Sequence, residues 1–281
     1  MMKIYVLGYK GMLGRYVYSY LKTMKHNVIG LSREDIDITK YISDNQLLSD
    51  DLAFSGIEAN DVIINCIGAI KPMVDKLGTL NAIKINSFFP HILSNICEKS
   101  NYHLIHITTD CVYDCKPGVK DEKTLHNCTD VYGKTKSLGE PENCTVVRTS
   151  IIGEEINQSR SLIEWVKSMK NKEASGYVNH TWNGVTCLQV AKIFDQIIKE
   201  KNYWKGVRHI FSPNVMTKYD LVQTISDVYD LNISVSQAFT QDSCERELSS
   251  IYSNNFQIPD IKTQIIELLN YRKNFRFYLD Y

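Results

Sequence analysis

Short apolar runs rich in β-branched residues alternate with amphipathic stretches along the first half of the chain. Runs of this kind are typical of buried parallel strands, and they predict strands at Lys3–Leu7, Asn27–Leu31, Asp61–Asn65, His103–Ile107 and Cys144–Arg148. Apolar residues at helical spacing predict helices over Met12–Lys25 and Ala82–Lys99. This alternation predicts an α/β fold, a doubly wound parallel sheet with helices on both faces.

After Gly153 the pattern of apolar positions is looser. Helical spacing recurs at Ser161–Lys170, Leu188–Lys199, Tyr219–Tyr229 and Ile261–Arg272, and Val207–Phe211 has the pattern of one further strand. No Gly/Ser-rich linker separates the two halves. We therefore expect a smaller α/β part that belongs closely to the large sheet, and no tethered second domain.

The charge balance narrows the range of partners. Lys plus Arg and Asp plus Glu each number 32 in 281 residues, so the net charge is zero, which argues against nucleic acid or an anionic membrane as a partner. No stretch approaches the roughly 18 apolar residues of a membrane span, and the first residues carry no signal-peptide pattern. The eight cysteines include no C-x-x-C pair, so we expect reduced thiols and no metal site. Together these features predict a soluble, cytoplasmic protein.

A glycine-rich turn follows the first predicted strand. Gly8, Gly11 and Gly14 form a G-x-x-G-x-x-G pattern that runs directly into the helix beginning with Met12 and Leu13. Glycine permits a tight turn and the close approach of a pyrophosphate, and the N-terminus of the helix offers unpaired N–H groups to that anion. Because the turn lies between a strand and a helix, it predicts a dinucleotide site in a Rossmann-type sheet.

The end of the second strand bears on which nicotinamide cofactor would bind. NAD sites usually place Asp or Glu there to hold the ribose 2′-hydroxyl, whereas this chain has Ser32 and Arg33. A hydroxyl and an arginine suit a 2′-phosphate, which a carboxylate would repel. The sequence therefore favours NADPH over NADH, with Glu34 or Asp35 left as a source of a carboxylate.

A candidate catalytic group lies beyond the fourth strand. Thr109, Asp110 and Cys111 follow that strand, and Tyr132 and Lys136 come four residues apart further along. A Tyr and a Lys with this spacing share one face of a helix, where the ammonium would lower the pKa of the phenol towards working pH. The phenol would then exchange a proton with a carbonyl or alkoxide oxygen while the Thr109 hydroxyl holds that oxygen.

Taken together, these sequences resemble one branch of the extended short-chain dehydrogenase/reductases, the dTDP-4-dehydrorhamnose reductase-like family. The resemblance covers about residues 3–200. It rests on the glycine turn at 8–14, Arg33, Asp37-Ile38-Thr39, Asn65, Asn86, Thr109-Asp110, the YGKTK sequence at 132–136, and Arg148-Thr149-Ser150. By this resemblance the chain is an enzyme, an NAD(P)H-dependent oxidoreductase that reduces the C4 ketone of a nucleotide-linked 4-keto-6-deoxy sugar.

The resemblance also implies roles for individual residues. Tyr132 would protonate the alkoxide, Thr109 would bond the reacting oxygen, and Lys136 would hold the nicotinamide ribose and tune Tyr132. The implied cofactor-binding residues are Gly8, Gly11, Met12, Leu13, Gly14, Ser32, Arg33, Asp37, Ile38, Cys66, Ile67, Gly68, Asn86, Tyr132 and Lys136. The implied substrate-binding residues are Thr109, Asp110, Cys111, Tyr132, Thr149, Trp182 and Asn183. For Trp182, a place in a buried core is the alternative interpretation.

The resemblance leaves the exact substrate and two other functions open. The motif variants are similar to a branch that completes UDP-2-acetamido-2,6-dideoxy-L-hexoses such as UDP-N-acetyl-L-rhamnosamine, so the nucleotide is UDP or dTDP. Related dehydratases have Glu where this chain has Cys111, which argues against dehydration. GDP-fucose-synthase-like epimerase–reductases have Cys there, but they also need an acid, for which His126 and His180 are candidates. The regulatory subunit of methionine adenosyltransferase resembles these reductases as well, yet acts by binding a partner.

The resemblance further predicts how the chain is divided. Residues 1–153, completed by about 187–203, would form an NAD(P)-binding Rossmann domain. Residues 154–186 and 204–281 would form a smaller α/β substrate-binding domain. The expected small-molecule partner is a nucleotide sugar, and the oligomeric state is open, with a homodimer among the alternatives.

Overall fold

A computed structural model of the chain describes residues 2–38, 56–156, 161–253 and 255–274. These residues divide into two compact units. The first unit consists of Met1–Asp114, Leu125–Arg148 and Ala191–Arg208, as far as they are described. The second consists of Cys115–Thr124, Thr149–Val190 and His209–Tyr281, with the same restriction.

Strands and helices alternate along the described chain. The strands are β1 (Lys3–Leu7), β2 (Asn27–Leu31), β3 (Val62–Asn65), β4 (His103–Thr109), β5 (Thr145–Thr149), β6 (Ile151–Ile152), β7 (Glu173–Tyr177), β8 (His180–Trp182), β9 (Val185–Thr186), β10 (Gly206–His209), β11 (Met216–Thr217), β12 (Ser234–Ala238) and β13 (Cys244–Arg246). The helices are α1 (Met12–Thr23), α2 (Lys71–Leu77), α3 (Thr79–Ile83), α4 (Phe89–Ser100), α5 (Val131–Ser137), α6 (Leu162–Ser168), α7 (Cys187–Glu200), α8 (Lys218–Val228) and α9 (Ile261–Asn274). A π-helical turn at Lys84–Phe88 and a 3₁₀ turn at Asp110–Val112 complete the set. None of the described helices has the length and apolar character needed to cross a bilayer.

Within the described residues, the first unit is built on a six-stranded sheet in the order β10-β5-β4-β3-β1-β2. Ile4 of β1 pairs in parallel with Val28 of β2 and with Val62 of β3, and β3 is parallel to β4. The predicted α/β fold with a parallel central sheet is therefore confirmed. β2 lies on one side of β1, whereas β3, β4 and β5 follow one another on the other side. The strand order therefore reverses between β1 and β3. Open α/β sheets bind ligands at the carboxyl ends of the strands at such a reversal.

Helices α1 and α4 pack on the sheet because their apolar residues recur at helical spacing, as the sequence predicts. Tyr16 and Val17 of α1 are fully buried. Phe89 and Leu93 of α4 belong to one hydrophobic cluster with Tyr5 of β1. This packing fixes the positions of the loops that leave the carboxyl ends of the strands.

The second unit holds smaller sheets with the orders β11-β8-β13, β12-β7 and β6-β9. It also includes residues 115–124, which the sequence assigns to the cofactor-binding part. The N–H of Lys120 donates to the Glu247 carbonyl at 2.9 Å, and the Glu122 carboxylate accepts from the N–H groups of His209 and Ile251 at 2.8 and 2.9 Å. Backbone groups therefore tie this segment to the second unit, and no side-chain pattern in the sequence indicates such bonds.

The long helix predicted over Ala82–Lys99 is interrupted. The chain forms α3, then the π-helical turn at Lys84–Phe88, and then α4. A π turn inserts one extra residue into a helix, and such turns recur at functional sites. By contrast, β1 and β2 begin and end at the predicted residues. The short strands of the second unit have no counterpart in the sequence pattern, because runs this short carry little periodic signal.

Gly139, two residues beyond α5, lies against the π-helical turn. A Cβ at this position would lie 1.7 Å from the carbonyl oxygen of Asn86 and 3.2 Å from the Cα of Ser87. Both neighbouring atoms belong to the backbone, which cannot move aside as a flexible side chain can. Only glycine lets the chain pass this close to the turn.

Gly139→Ala should destabilise the chain by about 3 kcal/mol or more, because its methyl group would collide with fixed backbone. Urea unfolding followed by circular dichroism measures the loss. Gly78→Ala is the matched control, since no described atom lies within 4 Å of its Cβ but φ is +77°. With ψ at 157° this conformation lies outside the αL region, and the variant should lose only the cost of holding alanine there, about 1–2 kcal/mol. Equal losses in the two variants would contradict the collision.

Candidate active site

The turn after β1 is held tightly by backbone bonds. Gly8 adopts φ = +73°, a left-handed conformation that favours glycine, and its N–H donates to the Leu31 carbonyl at 2.8 Å. The Gly11 N–H donates back to the Gly8 carbonyl at 2.9 Å and closes the turn. A Cβ on Gly8 would lie 3.3 Å from the backbone nitrogen of Ile67. The turns after β1 and β3 therefore lie against each other where the strand order reverses.

Gly14 allows α1 to begin directly on this turn, since a Cβ there would lie 2.2 Å from the Gly8 carbonyl oxygen. The first N–H groups of a helix have no acceptor within it, and Gly11 supplies no side-chain acceptor at the start of α1. Met12 and Leu13 can offer their N–H groups to a ligand, while the Leu13 side chain is buried. This backbone cradle fits the pyrophosphate of a dinucleotide.

The turn after β3 is shaped by Asn65. Its Oδ1 accepts from the Ile67 N–H at 3.0 Å, and its Nδ2 bonds Nδ1 of the buried His106 at 3.1 Å. Burial raises the pKa of the Cys66 thiol to about 12, so the thiol stays protonated and unreactive. The backbone of Cys66, Ile67 and Gly68 thus lies at the strand-order reversal, and its contact with a cofactor stays a prediction.

Asn86, in the π-helical turn, is buried and uses its amide within the chain. Its Oδ1 accepts from the Ala69 N–H at 2.8 Å, and its Nδ2 donates to the Ala69 carbonyl at 3.0 Å and to Thr135 Oγ1 at 3.1 Å. Both amide donors are therefore occupied, and they join the loop after β3 to α5. The structure gives Asn86 a positioning role, and a direct cofactor contact stays a prediction.

The end of β2 carries a carboxylate as well as the predicted cation. Oδ2 of Asp35 accepts from the N–H and the hydroxyl of Ser32 at 2.7 and 2.8 Å. The Ser32 hydroxyl is therefore engaged within the chain. Arg33 is exposed, and its Nε lies 3.7 Å from Oδ1 of Asp37. Of the predicted pair, Arg33 is the one whose side chain extends into solvent beside the strand end.

Lys10, Glu34 and Ile38 are other described residues near this strand end. The Lys10 ammonium lies 2.7 Å from the Glu34 carboxylate on the exposed surface. The Ile38 side chain belongs to the hydrophobic cluster of the first unit, so any cofactor contact from this residue must come from its backbone. Thr39 of the predicted motif lies outside the described residues.

Thr109 ends β4 and caps the 3₁₀ turn that follows. Its Oγ1 accepts from the Cys111 N–H at 3.2 Å and donates to Oδ1 of Asp110 at 3.2 Å. The Cys111 thiol donates to the same oxygen at 3.7 Å. Asp110 is buried, and its carboxylate therefore holds the Thr109 hydroxyl and the Cys111 thiol side by side.

Helix α5 packs directly on this loop. Asp130 caps the helix by accepting from the Gly133 N–H at 3.0 Å. Burial raises the pKa of Asp130, but this bond and the Lys71 ammonium lower it on balance, so a negative charge stands at the helix N-terminus. A Cβ on Gly133 would lie 2.4 Å from the carbonyl oxygen of Cys111, which explains why the residue after Tyr132 is glycine.

The Thr109 hydroxyl lies close enough to the phenol of Tyr132 to affect its pKa. Burial has the largest effect on Tyr132 and raises its pKa above the ordinary 10.0, Cys111 and Asp110 raise the pKa further, and Thr109 lowers it. The predicted net lowering of this pKa is wrong for the chain alone, because desolvation of the phenol dominates, and the influence of Lys136 on it stays a prediction. The resting form is the neutral phenol, which is the form able to donate a proton.

Lys136 is buried, with 7% of its surface exposed. Its Nζ lies 3.5 Å from the Ile107 carbonyl oxygen and adjoins Gly68, where a Cβ would be 3.3 Å away. Burial lowers the pKa of Lys136 from 10.5 to about 8, and the strongest opposing influence is the Glu140 carboxylate. The structure thus places a hydroxyl, a phenol and an ammonium together at the carboxyl end of the sheet, and their catalytic roles stay predictions.

Arg148, which the sequence places in a motif without giving it a role, is the centre of a buried network. Its side chain is 3% exposed, and its Nε and Nη2 bind the Glu140 carboxylate at 3.0 and 2.5 Å. Nη1 donates to the Tyr113 hydroxyl at 2.5 Å, and Nη2 donates to Nε2 of His126 at 2.7 Å. A signal exists in the sequence, because an arginine that ends an apolar strand must find partners when it is buried.

Both histidines considered for an epimerase reaction are bound to other groups. Nδ1 of His126 lies 2.6 Å from the Ser137 hydroxyl, and Nε2 faces Arg148. In the second unit, Nε2 of His180 lies 2.7 Å from the Thr240 hydroxyl. Desolvation lowers the pKa of both rings. For either histidine to act as the acid of an epimerase, these bonds would have to break. Otherwise another residue would have to supply the acid.

The predicted substrate residues Thr149, Trp182 and Asn183 belong to the second unit. Trp182 is 8% exposed, and its ring packs so closely on Gly184 that a Cβ there would lie 2.3 Å away. Oδ1 of Asn183 accepts from the Leu248 N–H at 2.9 Å, and its Nδ2 donates to the Leu248 carbonyl at 2.8 Å. Trp182 thus has the buried place that the alternative interpretation gives it. The substrate contacts of these residues stay predictions.

A doubly wound sheet, a glycine turn at its strand-order reversal and a Thr-Tyr-Lys cluster define the class of extended short-chain dehydrogenase/reductases. The family model for the RmlD substrate-binding domain matches residues 2–280, and the chain belongs to this family. The match extends over the second unit as well, beyond the residues whose motifs carry the resemblance.

Individual relatives and structures agree with this family. The chain is similar to a dTDP-4-keto-6-deoxy-D-glucose reductase of Streptomyces niveus, 26% identical over 231 residues that cover 78% of this chain and 75% of the relative. It is similar to methionine adenosyltransferase 2 subunit beta of Danio rerio, 24% identical over 246 residues that cover 82% and 74%. A dTDP-4-dehydrorhamnose reductase of Bacillus anthracis, solved in complex with NADP, has the same fold, with a TM-score of 0.77 at 18% identity over 96% of this chain and 99% of that one.

Lys136→Met should stabilise the ligand-free chain at pH 7. The unfolded chain takes up the Lys136 proton near pH 10.5, whereas the folded chain takes it up only near pH 8. The free energy of unfolding therefore falls as the pH drops from 10.5 to 8, and it stays lowered by the full amount below pH 8. One pKa unit is about 1.4 kcal/mol, so removing the buried charge should add about 3 kcal/mol, and methionine fills a similar volume.

Urea unfolding at pH 7 measures this gain in stability. Lys134→Met, at an exposed position on the same helix, is the matched control and should leave stability nearly unchanged. If Lys136→Met instead lost stability relative to the wild type, the buried ammonium would be a net stabilising group, which would contradict the expected gain.

Proposed function

We propose that the chain is an NAD(P)H-dependent reductase of the C4 ketone in a nucleotide-linked 4-keto-6-deoxy sugar. The observation that carries this proposal is the closeness of the Thr109 hydroxyl to the Tyr132 phenol, with the Lys136 ammonium buried at the same end of the sheet. The similarity to a dTDP-4-keto-6-deoxy-D-glucose reductase supports the class of substrate. Membership of the RmlD substrate-binding domain family supports it as well.

The described side chains suit each proton step of such a reduction. When bound, the nicotinamide supplies the hydride that reduces the ketone carbon. The Thr109 hydroxyl holds the ketone oxygen, and Tyr132 donates its proton to that oxygen as negative charge develops there. The phenolate left behind then regains a proton from solvent. Lys136 is the cation available to hold ribose hydroxyls of the cofactor.

For the cofactor we infer NADPH, with NADH as the competing donor. The cradle formed by Gly8, Gly11 and Gly14 fits a pyrophosphate and serves either dinucleotide. Arg33 favours a 2′-phosphate. Its guanidinium is exposed and its contact with the Asp37 carboxylate is long, at 3.7 Å, so the side chain can turn towards a phosphate. Asp35 at the same strand end favours NADH, but its carboxylate is already bonded to Ser32. The relative solved with NADP supports the first choice.

Within this substrate class we propose a UDP-linked 2-acetamido-2,6-dideoxy-L-hexos-4-ulose. The support is the similarity of the T-T-D-C-V-Y sequence at 108–113 and the YGKTKSLGE sequence at 132–140 to reductases of that branch. A dTDP-linked sugar of the rhamnose type is the competing substrate, in keeping with the names of the relatives. The two differ in the nucleotide and in the group at C2, so a direct comparison separates them.

A matched panel of substrates tests the proposal. UDP- and dTDP-linked 4-keto-6-deoxy sugars, with and without a 2-acetamido group and in both C5 configurations, are incubated with the protein and NADPH or NADH. We expect loss of reduced-nicotinamide absorbance with one sugar, faster with NADPH, and an alcohol at C4 in the NMR spectrum of the product. Deuterium gained from solvent at C3 or C5 would instead indicate the epimerase–reductase that uses Cys111. No oxidation with any sugar would contradict the reductase.

Tyr132→Phe should retain cofactor binding within about twofold and lose about a hundredfold or more in kcat, because it removes only the proton donor. Titration calorimetry measures the first quantity and the absorbance assay the second. Tyr203→Phe, at a half-buried tyrosine stacked on His103 elsewhere in the first unit, is the control and should keep the wild-type kcat. Normal turnover by Tyr132→Phe would show that another group supplies the proton.

The similarity to methionine adenosyltransferase 2 subunit beta supports a second candidate, a subunit that acts by binding a partner. The substrate panel separates the two candidates. Cofactor binding without oxidation of any sugar, together with a stable complex with a methionine adenosyltransferase catalytic subunit, would favour the binding subunit. Turnover with one keto sugar would favour the reductase.

A further inference from the structure

Arg148 binds three segments that surround the candidate active site. We propose that Arg148 positions Thr109 against Tyr132 for the reduction, and that this hold requires the neutral form of His126. The inference rests on the proposed reductase function and adds to it a positioning residue and an acid limit on activity. Its basis is a set of four hydrogen bonds made by a guanidinium whose side chain is 3% exposed.

These four hydrogen bonds of the guanidinium reach three segments. Tyr113, whose hydroxyl accepts from Nη1 at 2.5 Å, belongs to the loop that begins with Thr109. His126, whose Nε2 accepts from Nη2 at 2.7 Å, lies on the segment that leads into α5. Glu140, which accepts from Nε at 3.0 Å and from Nη2 at 2.5 Å, follows α5. One side chain on β5 therefore holds the loop and both ends of the helix.

By holding these segments, Arg148 would fix the distance between the Thr109 hydroxyl and the Tyr132 phenol, which both bond the reacting oxygen in the proposed reduction. Thr109 comes shortly before Tyr113, and Tyr132 lies between His126 and the end of α5. The Tyr113 ring also lies under the guanidinium, with 5.2 Å between the ring centroid and Cζ of Arg148, so stacking adds to the hydroxyl bond. A displacement of about 1 Å between reacting groups can reduce a rate by about a hundredfold.

Hydrogen bonding determines the protonation state of His126. A guanidinium has only donors, so Nε2 of His126, 2.7 Å from Arg148, must be the unprotonated nitrogen. Nδ1 then carries the proton and donates it to the Ser137 hydroxyl at 2.6 Å. The neutral ring thus bridges Arg148 to Ser137, the residue directly after Lys136.

A second proton on His126 would break this bridge. The groups facing the ring are Arg148 on β5, Glu140 with Oε2 3.7 Å from Nε2, the Tyr113 ring with its centroid 5.5 Å away, and Ser137 on α5. Burial lowers the pKa of His126 below 6.5, Glu140 opposes this, and Arg148 reinforces it. The unfolded chain therefore takes up the proton first. The contribution of His126 to stability is complete above pH 6.5 and is lost as the pH falls below that value.

His126→Gln tests the acid limit, because an amide oxygen can accept from Arg148 and does not titrate in this range. Wild-type kcat should fall below a midpoint under pH 6.5, approaching about tenfold per pH unit, with little change in KM. The variant should keep its kcat at pH 5.5 within about twofold of its value at pH 7.5. His91→Gln, which alters an exposed histidine bonded to the Leu138 carbonyl, should keep the wild-type acid limb. An unchanged acid limb in His126→Gln would overturn the proposal.

Arg148→Lys tests the positioning role. A lysine is a point charge and cannot bond Tyr113, His126 and Glu140 together. We expect kcat to fall between about tenfold and about a hundredfold, while the Kd for NADPH stays within about twofold. Retained cofactor binding distinguishes misplacement of the catalytic groups from loss of the fold. Wild-type kcat in Arg148→Lys would overturn the positioning role.

Two measurements need no substrate and separate this inference from the proposed function. Nitrogen-15 NMR of the ligand-free protein at pH 7.5 should show the Nδ1–H tautomer of His126. Urea unfolding should show wild-type stability falling between pH 6.5 and 5.5 by more than in His126→Gln. An Nε2–H tautomer would overturn the inference even in an active reductase. The expected tautomer together with no oxidation of any keto sugar would leave the His126 bridge supported and the proposed function wrong.

Discussion

A positive charge kept out of water is the constraint on which the first unit depends. Lys136 is buried, and its one hydrogen bond among the described residues is 3.5 Å long, to a carbonyl group. Burial alone would favour the neutral amine, so the surrounding groups have to offset the loss of hydration. The Glu140 carboxylate is the charged group that does this. Since Glu140 is also the partner of Arg148, the charge on the lysine and the shape of the loop depend on the same carboxylate.

The parts of the fold that local pattern determines could be predicted from the sequence. β1 and β2 are parallel strands whose short apolar runs end at glycine or polar residues, so their ends match the prediction. The π-helical turn at Lys84–Phe88 has no such signature, and the residue that packs against its backbone, Gly139, lies far along the chain. The place of residues 115–124 in the second unit likewise follows from backbone bonds to a distant segment.

The same distinction applies to the candidate site. The spacing of the glycines and of Tyr132 and Lys136 is local, and the sequence could predict where these groups meet. Partners and desolvation are set by tertiary packing, so neither the bonded amide of Asn86 nor the raised pKa of Tyr132 could be predicted. Arg148 could be predicted in part. A charge at the end of an apolar strand indicates that the residue has a partner in the interior, but the sequence does not show which residue that is.

The path of the chain limits how such a protein can change during evolution. The chain crosses between the two units after residues 114, 124, 148, 190 and 208, so neither unit is one continuous stretch of sequence. Domains that are continuous can be exchanged whole by recombination of gene segments. A cut after residue 124, 148 or 190 would divide both units, and a cut after residue 114 or 208 would divide one of them. Neither unit can therefore be exchanged whole for that of a relative, and the chain has to diverge by substitution and by short insertions within each unit.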